Sequence, residues 1–148
     1  MYSHQKVKLA DELIQLEQLA LKLRHAGKAV EAVDYFKQLL ERQPDWEHGD
    51  GWYNLAMCYE ELGNTADAEA CYRRALTYDP KNAIFLGGFA SFLYLHGDVD
   101  AAIRAYVELL EIERGNGNNA AVEDIVTAVK ALAAKKRMPA VELGKLLA

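Results

Sequence analysis

The chain repeats itself, and that limits what it can fold into. One set of residues runs Trp52, Leu55, Ala56, Tyr59, Gly63, Ala68, Tyr72, Ala75, Leu76 and Pro80. Thirty-six residues earlier the chain reads Leu16, Leu19, Ala20, Leu23, Gly27, Ala32, Phe36, Leu39, Leu40 and Pro44. Thirty-four residues later it reads Leu86, Phe89, Ala90, Leu93, Gly97, Ala102, Tyr106, Leu109 and Leu110. The two-residue difference falls in the segment 45–51, because Pro44 to Trp52 spans eight positions and Pro80 to Leu86 only six. Segments this short cannot bury a core each on their own, so neighbouring copies must stack.

Each copy reads as a pair of helices. Apolar residues recur at helical spacing, as in Trp52, Leu55, Ala56 and Tyr59. Gly27, Gly63 and Gly97 are expected to stop the first helix of each pair with a left-handed C-cap. Pro44 and Pro80 close the second helix in the first two copies. Asn82 and Asp98 stand where an N-cap is needed. Ala20, Ala56 and Ala90, with Ala32, Ala68 and Ala102, are expected where paired helices approach closely. Trp52 and Tyr72 fill space between copies. No window alternates with period two over a strand length, so the expected class is all-α, with about eight helices. Residues 6–23 read as one helix, longer at its start than the repeat requires. After the loop 115–119, Val122, Ile125, Val126, Val129 and Leu132 continue the pattern to about Arg137, and Pro139 opens a short last helix.

These residues resemble the tetratricopeptide repeat family, whose 34-residue pattern runs aromatic, Leu-Gly/Ala, Tyr, Gly, Ala, aromatic, Ala and Pro. Residues 49–82 match nearly every marked place and carry the Trp-Tyr-Asn-Leu-Ala run Trp52–Ala56. Residues 13–46 match with Leu at two aromatic places. Residues 83–116 match except that Arg114 stands where Pro is usual. The resemblance implies a right-handed α-α superhelix over a single domain, 1–148, with residues 119–148 as a helical cap.

Composition bounds the partners. Lysine and arginine number 17 against 22 aspartates and glutamates, a formal net charge of −5. That balance argues against nucleic acid, which requires a basic face. No apolar run approaches a membrane span. The first 23 residues lack an apolar signal core, so a cytoplasmic location is expected. Cys58 and Cys71 fit no metal or redox spacing and read as small buried apolar groups.

Enzymatic motifs are missing. His4, His25, His48 and His96 include no metal-binding pair, and His25 and His96 suit helix C-termini. His48 with Glu47 and Asp50 is better read as polar loop than as metal cluster. The run Gly115-Asn-Gly-Asn-Asn-Ala120 fits a nucleotide fingerprint only formally, since a helix precedes it where a strand is required. Lys135, Lys136 and Arg137 end a helix and read as dipole partners. No nucleophile elbow or phosphate loop is present. No catalytic activity, metal or cofactor is expected.

The family resemblance implies that the first helix of each repeat lines a concave groove for a partner peptide or helix. Carried over, the lining is Ile14, Glu17, Gln18, Leu21 and Arg24, then Asp50, Tyr53, Asn54, Met57 and Glu60, then Ile84, Gly87, Gly88, Ser91 and Tyr94. Some family members clamp acidic C-termini with lysines, an arginine and asparagines. The corresponding places here hold Glu17, Leu21, Asn54, Ile84 and Gly88, and only Asn54 fits. The expected ligand therefore carries apolar anchors and positive charge. Gly87 and Gly88 break a helix rule and are expected to admit a partner, or the C-terminal helices, close to the backbone. The leading expectation is a protein-binding scaffold or adaptor. The alternative is a bacterial chaperone similar to those that shelter type III secretion translocators. A third reading has the last two helices filling this groove or that of a second copy, giving a homodimer.

Overall fold

A computed structural model describes residues 2–148, with no strand among them. The helices are α1 (Tyr2–His25), α2 (Ala29–Arg42), α3 (Asp50–Glu61), α4 (Thr65–Tyr78), α5 (Ala83–His96), α6 (Val99–Gly115), α7 (Asn119–Lys136) and α8 (Ala140–Leu147). A short 3-10 turn, Trp46–Gly49, precedes α3. The chain divides into two compact units, residues 1–79 and 80–148.

In the first unit α1 packs on α2, α2 on α3 and α3 on α4. The core is built as the repeat predicts. Ala20, Ala32, Ala56 and Ala68 are all 0% exposed, and Leu13, Phe36, Leu39 and Tyr72 of the same unit are buried with them. A methyl group in these places lets two helices touch where a larger side chain would hold them apart. Gly27 and Gly63 take left-handed conformations, with φ of +75° and +72°. Each closes a Schellman motif: Lys28 N–H donates to Leu23 O at 2.9 Å, and Asn64 N–H to Tyr59 O at 2.9 Å. α2 and α4 stop at Arg42 and Tyr78, one residue short of Gln43 and Asp79. Those residues precede Pro44 and Pro80 and leave the helical region, with φ near −140° and ψ of 89° and 83°, as a following proline disfavours the helical conformation. Cys58 and Cys71 are buried free thiols.

In the second unit α5 packs on α6, α6 on α7, and α8 rests lightly on α7. Both predicted caps form. Asn82 Oδ1 accepts from the N–H of Ile84 and Phe85, and Asp98 Oδ1 from those of Asp100 and Ala101. Ala90 and Ala102 are fully buried. With Arg114 in place of a proline nothing stops the second helix, and α6 runs 17 residues against 14 for α2 and α4. α7 buries Ile125, Val129, Leu132 and Ala133. α8 buries none of its residues and is tied down by Arg114, whose Nη2 donates to Leu147 O at 2.6 Å.

One glycine behaves differently from its counterparts. Gly97 is not left-handed; it is extended, with φ −106° and ψ −169°. Residues 97–98 alone link α5 to α6, and Asp98 is already a cap, so there is no room for a Schellman turn. Glycine is needed there for space instead. A Cβ would lie 2.7 Å from Leu93 Cδ2 and 3.0 Å from Leu93 Cα.

Candidate functional site

The predicted lining residues fall in both units. In the first, α1 and α3 bring Glu17, Leu21, Arg24, Tyr53, Asn54, Met57 and Glu60 to one region. Leu21, Tyr53 and Met57 are half-buried, and Ile14 is 41% exposed. Asn54 is only 8% exposed and works inside the fold. Its Oδ1 accepts from Arg24 Nη1 at 2.8 Å, and its Nδ2 donates to Asp50 Oδ2 at 2.8 Å and to Asp50 O at 3.0 Å. Arg24 Nε also pairs with Glu61 at 3.5 Å. Tyr72 OH donates to Glu60 Oε2 at 2.7 Å, and the rings of Tyr53 and Tyr72 meet edge to face with centroids 5.8 Å apart. Arg24, Asn54 and Glu60 thus fix α1, α3 and α4 together and hold Tyr53 in place.

The charge here is acidic. Burial pushes the Glu17 carboxyl above the usual range; the neighbouring Trp46 indole pulls it back, and Asp50 and Glu47 push it further up. Burial and then Glu47 raise Asp50, against the pull of Asn54 and Arg24. Burial raises the Tyr53 hydroxyl too, with Arg24 opposing and Asp50 and Glu60 adding. Burial drives the Cys58 thiol up to about 11 and the Cys71 thiol up to about 12, so neither is a nucleophile at neutral pH.

Sequence reasoning missed the burial of Trp46. The segment 45–51 reads as polar loop, yet Trp46 is 7% exposed and Glu47 and His48 are both left-handed, with φ of 46° and 52°. The repeat arithmetic located the insertion, but a tryptophan among polar residues was its only hint of burial.

In the second unit, Ser91 and Ile84 are exposed and Gly87, Gly88 and Tyr94 half-buried. Tyr94 stacks edge to face on Tyr106, and Lys135 Nζ lies 5.3 Å from its ring centroid. α7 therefore reaches the α5 residue expected to bind a partner. A Cβ on Gly87 would meet only Leu109 Cδ2, at 3.7 Å, so α6 does not crowd this position. Among the described residues no group of three or more His, Cys, Asp or Glu side chains could hold a metal, and no helix is long and apolar enough to cross a membrane.

Residues 49–82 match the tetratricopeptide repeat family model. A TPR repeat-containing protein of Methanocaldococcus jannaschii is 34% identical over 84 residues, which is 55% of this chain and 14% of that protein. The chain thus spans a small part of the curated relative it matches. Among solved structures, the type III secretion chaperone SycD of Yersinia enterocolitica, in complex with a peptide of the translocator YopD, superposes with a TM-score of 0.75. It is 21% identical, over 85% of this chain and 95% of that one. The TPR2B domain of yeast Sti1, in a complex with pHsp70, gives a TM-score of 0.72 at 15% identity, over 83% and 97%. At these identities the likeness concerns the fold. The tetratricopeptide resemblance and the all-helical class both hold.

Proposed function

We propose that residues 1–148 act as a non-enzymatic protein-binding module that holds a partner segment against the first helices of its repeats. The observation that carries this reading is the strip Leu21, Tyr53 and Met57. These side chains, on α1 and α3 of the first unit, are left half-exposed, and the Tyr53 ring packs edge to face against Tyr72. Rigid aromatics of this kind are favoured anchors at interfaces. The surrounding carboxylates favour a segment that combines apolar anchors with positive charge. Two structures of like fold, described above, were solved with partners, which supports the same use here. The proposal includes a cytoplasmic location and excludes nucleic acid and membrane as ligands.

Affinity capture from native lysate tests it, comparing wild type with Tyr53→Ala/Tyr94→Ala. The expected result is a partner retained by wild type and lost by the variant. A partner retained equally by both refutes the proposal.

A second reading, a chaperone for a secreted protein, is favoured by the match to SycD over most of both chains. Co-expression separates the two. A chaperone keeps an otherwise aggregating neighbouring gene product soluble, whereas an adaptor joins partners that are already folded.

A further inference from the structure

The first unit is open at one end of its stack. Leu9, Leu16, Leu19 and Leu23 share one side of α1, and Lys8, Gln15 and Lys22 run beside them. In the next repeat the places of Gln15, Leu19 and Lys22 are held by Gly51, Leu55 and Cys58, and all three are buried. Helix α2 covers them: it packs on α3, and its Leu40 Cδ2 would lie 2.8 Å from a Cβ on Gly51. On α1 the same side is open. Leu19 is 39% exposed where Leu55 is 3% exposed, Leu9, Gln15 and Lys22 are exposed, and Leu16 and Leu23 are half-buried. A shallow cavity there is lined by Glu12, Gln15, Leu16, Leu19 and Arg42. The start of α1 also outruns its support. Arg42, the last residue of α2, meets Glu12 at 3.4 Å, and residues 3–12 are exposed throughout. A helical stretch of that length is marginal without packing.

We propose that this side of α1 is a second docking surface, separate from the groove. It takes an amphipathic helix of a partner protein, apolar on one face and acidic along the edge that meets Lys8 and Lys22. The next repeat shows what such a side holds, which is a helix. A terminal face that served only as a cap would be polar throughout, and this one keeps a row of leucines. The row selects an apolar face on the partner. Charge selects the rest. Glu12 is matched by Arg42, whereas Lys8 and Lys22 enter no ion pair among the described residues. An apolar helix laid over them would strand two cations. Carboxylates placed opposite turn that cost into charge pairs. The same charges disfavour a second copy, because two-fold pairing of α1 helices about Gln15 sets Lys8 of each copy opposite Lys22 of the other. From Leu9 to Leu23 the row runs roughly 21 Å. A partner helix of about 14 residues or more spans it and also supports the start of α1.

The test is selection on the full chain from a displayed library of helical peptides about 18 residues long, with one leucine face fixed and the other positions random. Affinities of synthetic peptides follow. The expected pool is enriched in aspartate and glutamate along one edge of the leucine face. Lys22→Glu should weaken a selected helix about tenfold or more, the scale of a close interfacial charge pair. A twin peptide with those acidic residues changed to lysine should regain affinity for Lys22→Glu. Leu19→Asp should abolish binding, whereas Tyr53→Ala, in the groove, should leave it unchanged. Leu19 and Lys22 are exposed, so both variants should keep the wild-type circular dichroism. Enriched helices without acidic residues, or affinities indifferent to Lys22→Glu, overturn the proposed partner chemistry. No enrichment, or binding that survives Leu19→Asp and is lost with Tyr53→Ala, overturns the docking surface. A free chain that sediments as a dimer, and as a monomer after Leu19→Asp, makes a second copy the occupant and overturns the proposal too.

Discussion

Gly87→Ala should stabilise the protein. A glycine inside a helix costs about 1 kcal/mol relative to alanine, because the unfolded chain loses more freedom in adopting one conformation. That saving would be cancelled if the new methyl met a wall. At Gly87 it meets only Leu109 Cδ2, at 3.7 Å, an ordinary van der Waals contact. The site is half-exposed, so the methyl gains little from burial. The net expectation is a gain of about 1 kcal/mol, or about 2–4 °C in Tm for a chain of this size. Urea unfolding followed by circular dichroism measures it, with an unchanged m-value showing that the end states are the same. A loss of stability would refute the reasoning, because α6 would then be closer than described. Gly97→Ala is the control of opposite sign. Its Cβ would lie 3.0 Å from the Leu93 Cα, which cannot yield, and should cost about 1–3 kcal/mol. If Gly87→Ala also weakens partner binding while raising Tm, the glycine serves a ligand at the expense of the fold.

Four other outcomes are expected. Phe92→Ala, at a side chain 1% exposed and stacked near Phe89, should cost about 3–5 kcal/mol in chemical denaturation. Asn82→Ala removes a cap that holds two N–H groups and should cost about 1 kcal/mol by the same assay. Cys58 and Cys71, with thiols pushed up to about 11 and about 12, should resist a disulfide reagent at mildly alkaline pH and react together on unfolding. Glu17→Gln should raise Tm at neutral pH. The folded carboxyl is raised above its unfolded value, so ionisation opposes folding and stability is gained as pH falls through the folded pKa. The advantage of Gln should therefore shrink towards acid pH, and thermal melts across that range would show it.

The repeat by itself determined the helix order, the buried alanines and most helix ends. These depend on local chemistry and on spacing, which one strand of sequence displays. Pro44 and Pro80 stop a helix whatever surrounds them, and Asn82 caps its own next turn. The buried alanines were legible because the same small residue recurs in phase, and the absence of proline at Arg114 already allowed a longer α6. Other features depended on what lies opposite in space. Gly97 had the same sequence place as Gly27 and Gly63, but a shorter link and the Leu93 backbone gave it a different task. Asn54 matched a binding position, yet Arg24 and Asp50 converge on it and make it an internal tie. The insertion could be counted to two residues. Only the fold showed that it buries Trp46 and puts Glu47 and His48 in left-handed conformations. Helical spacing says which residues share a face of one helix. Whether that face meets a charge, a ring or open solvent is set by the neighbouring helices, and these are remote in the chain.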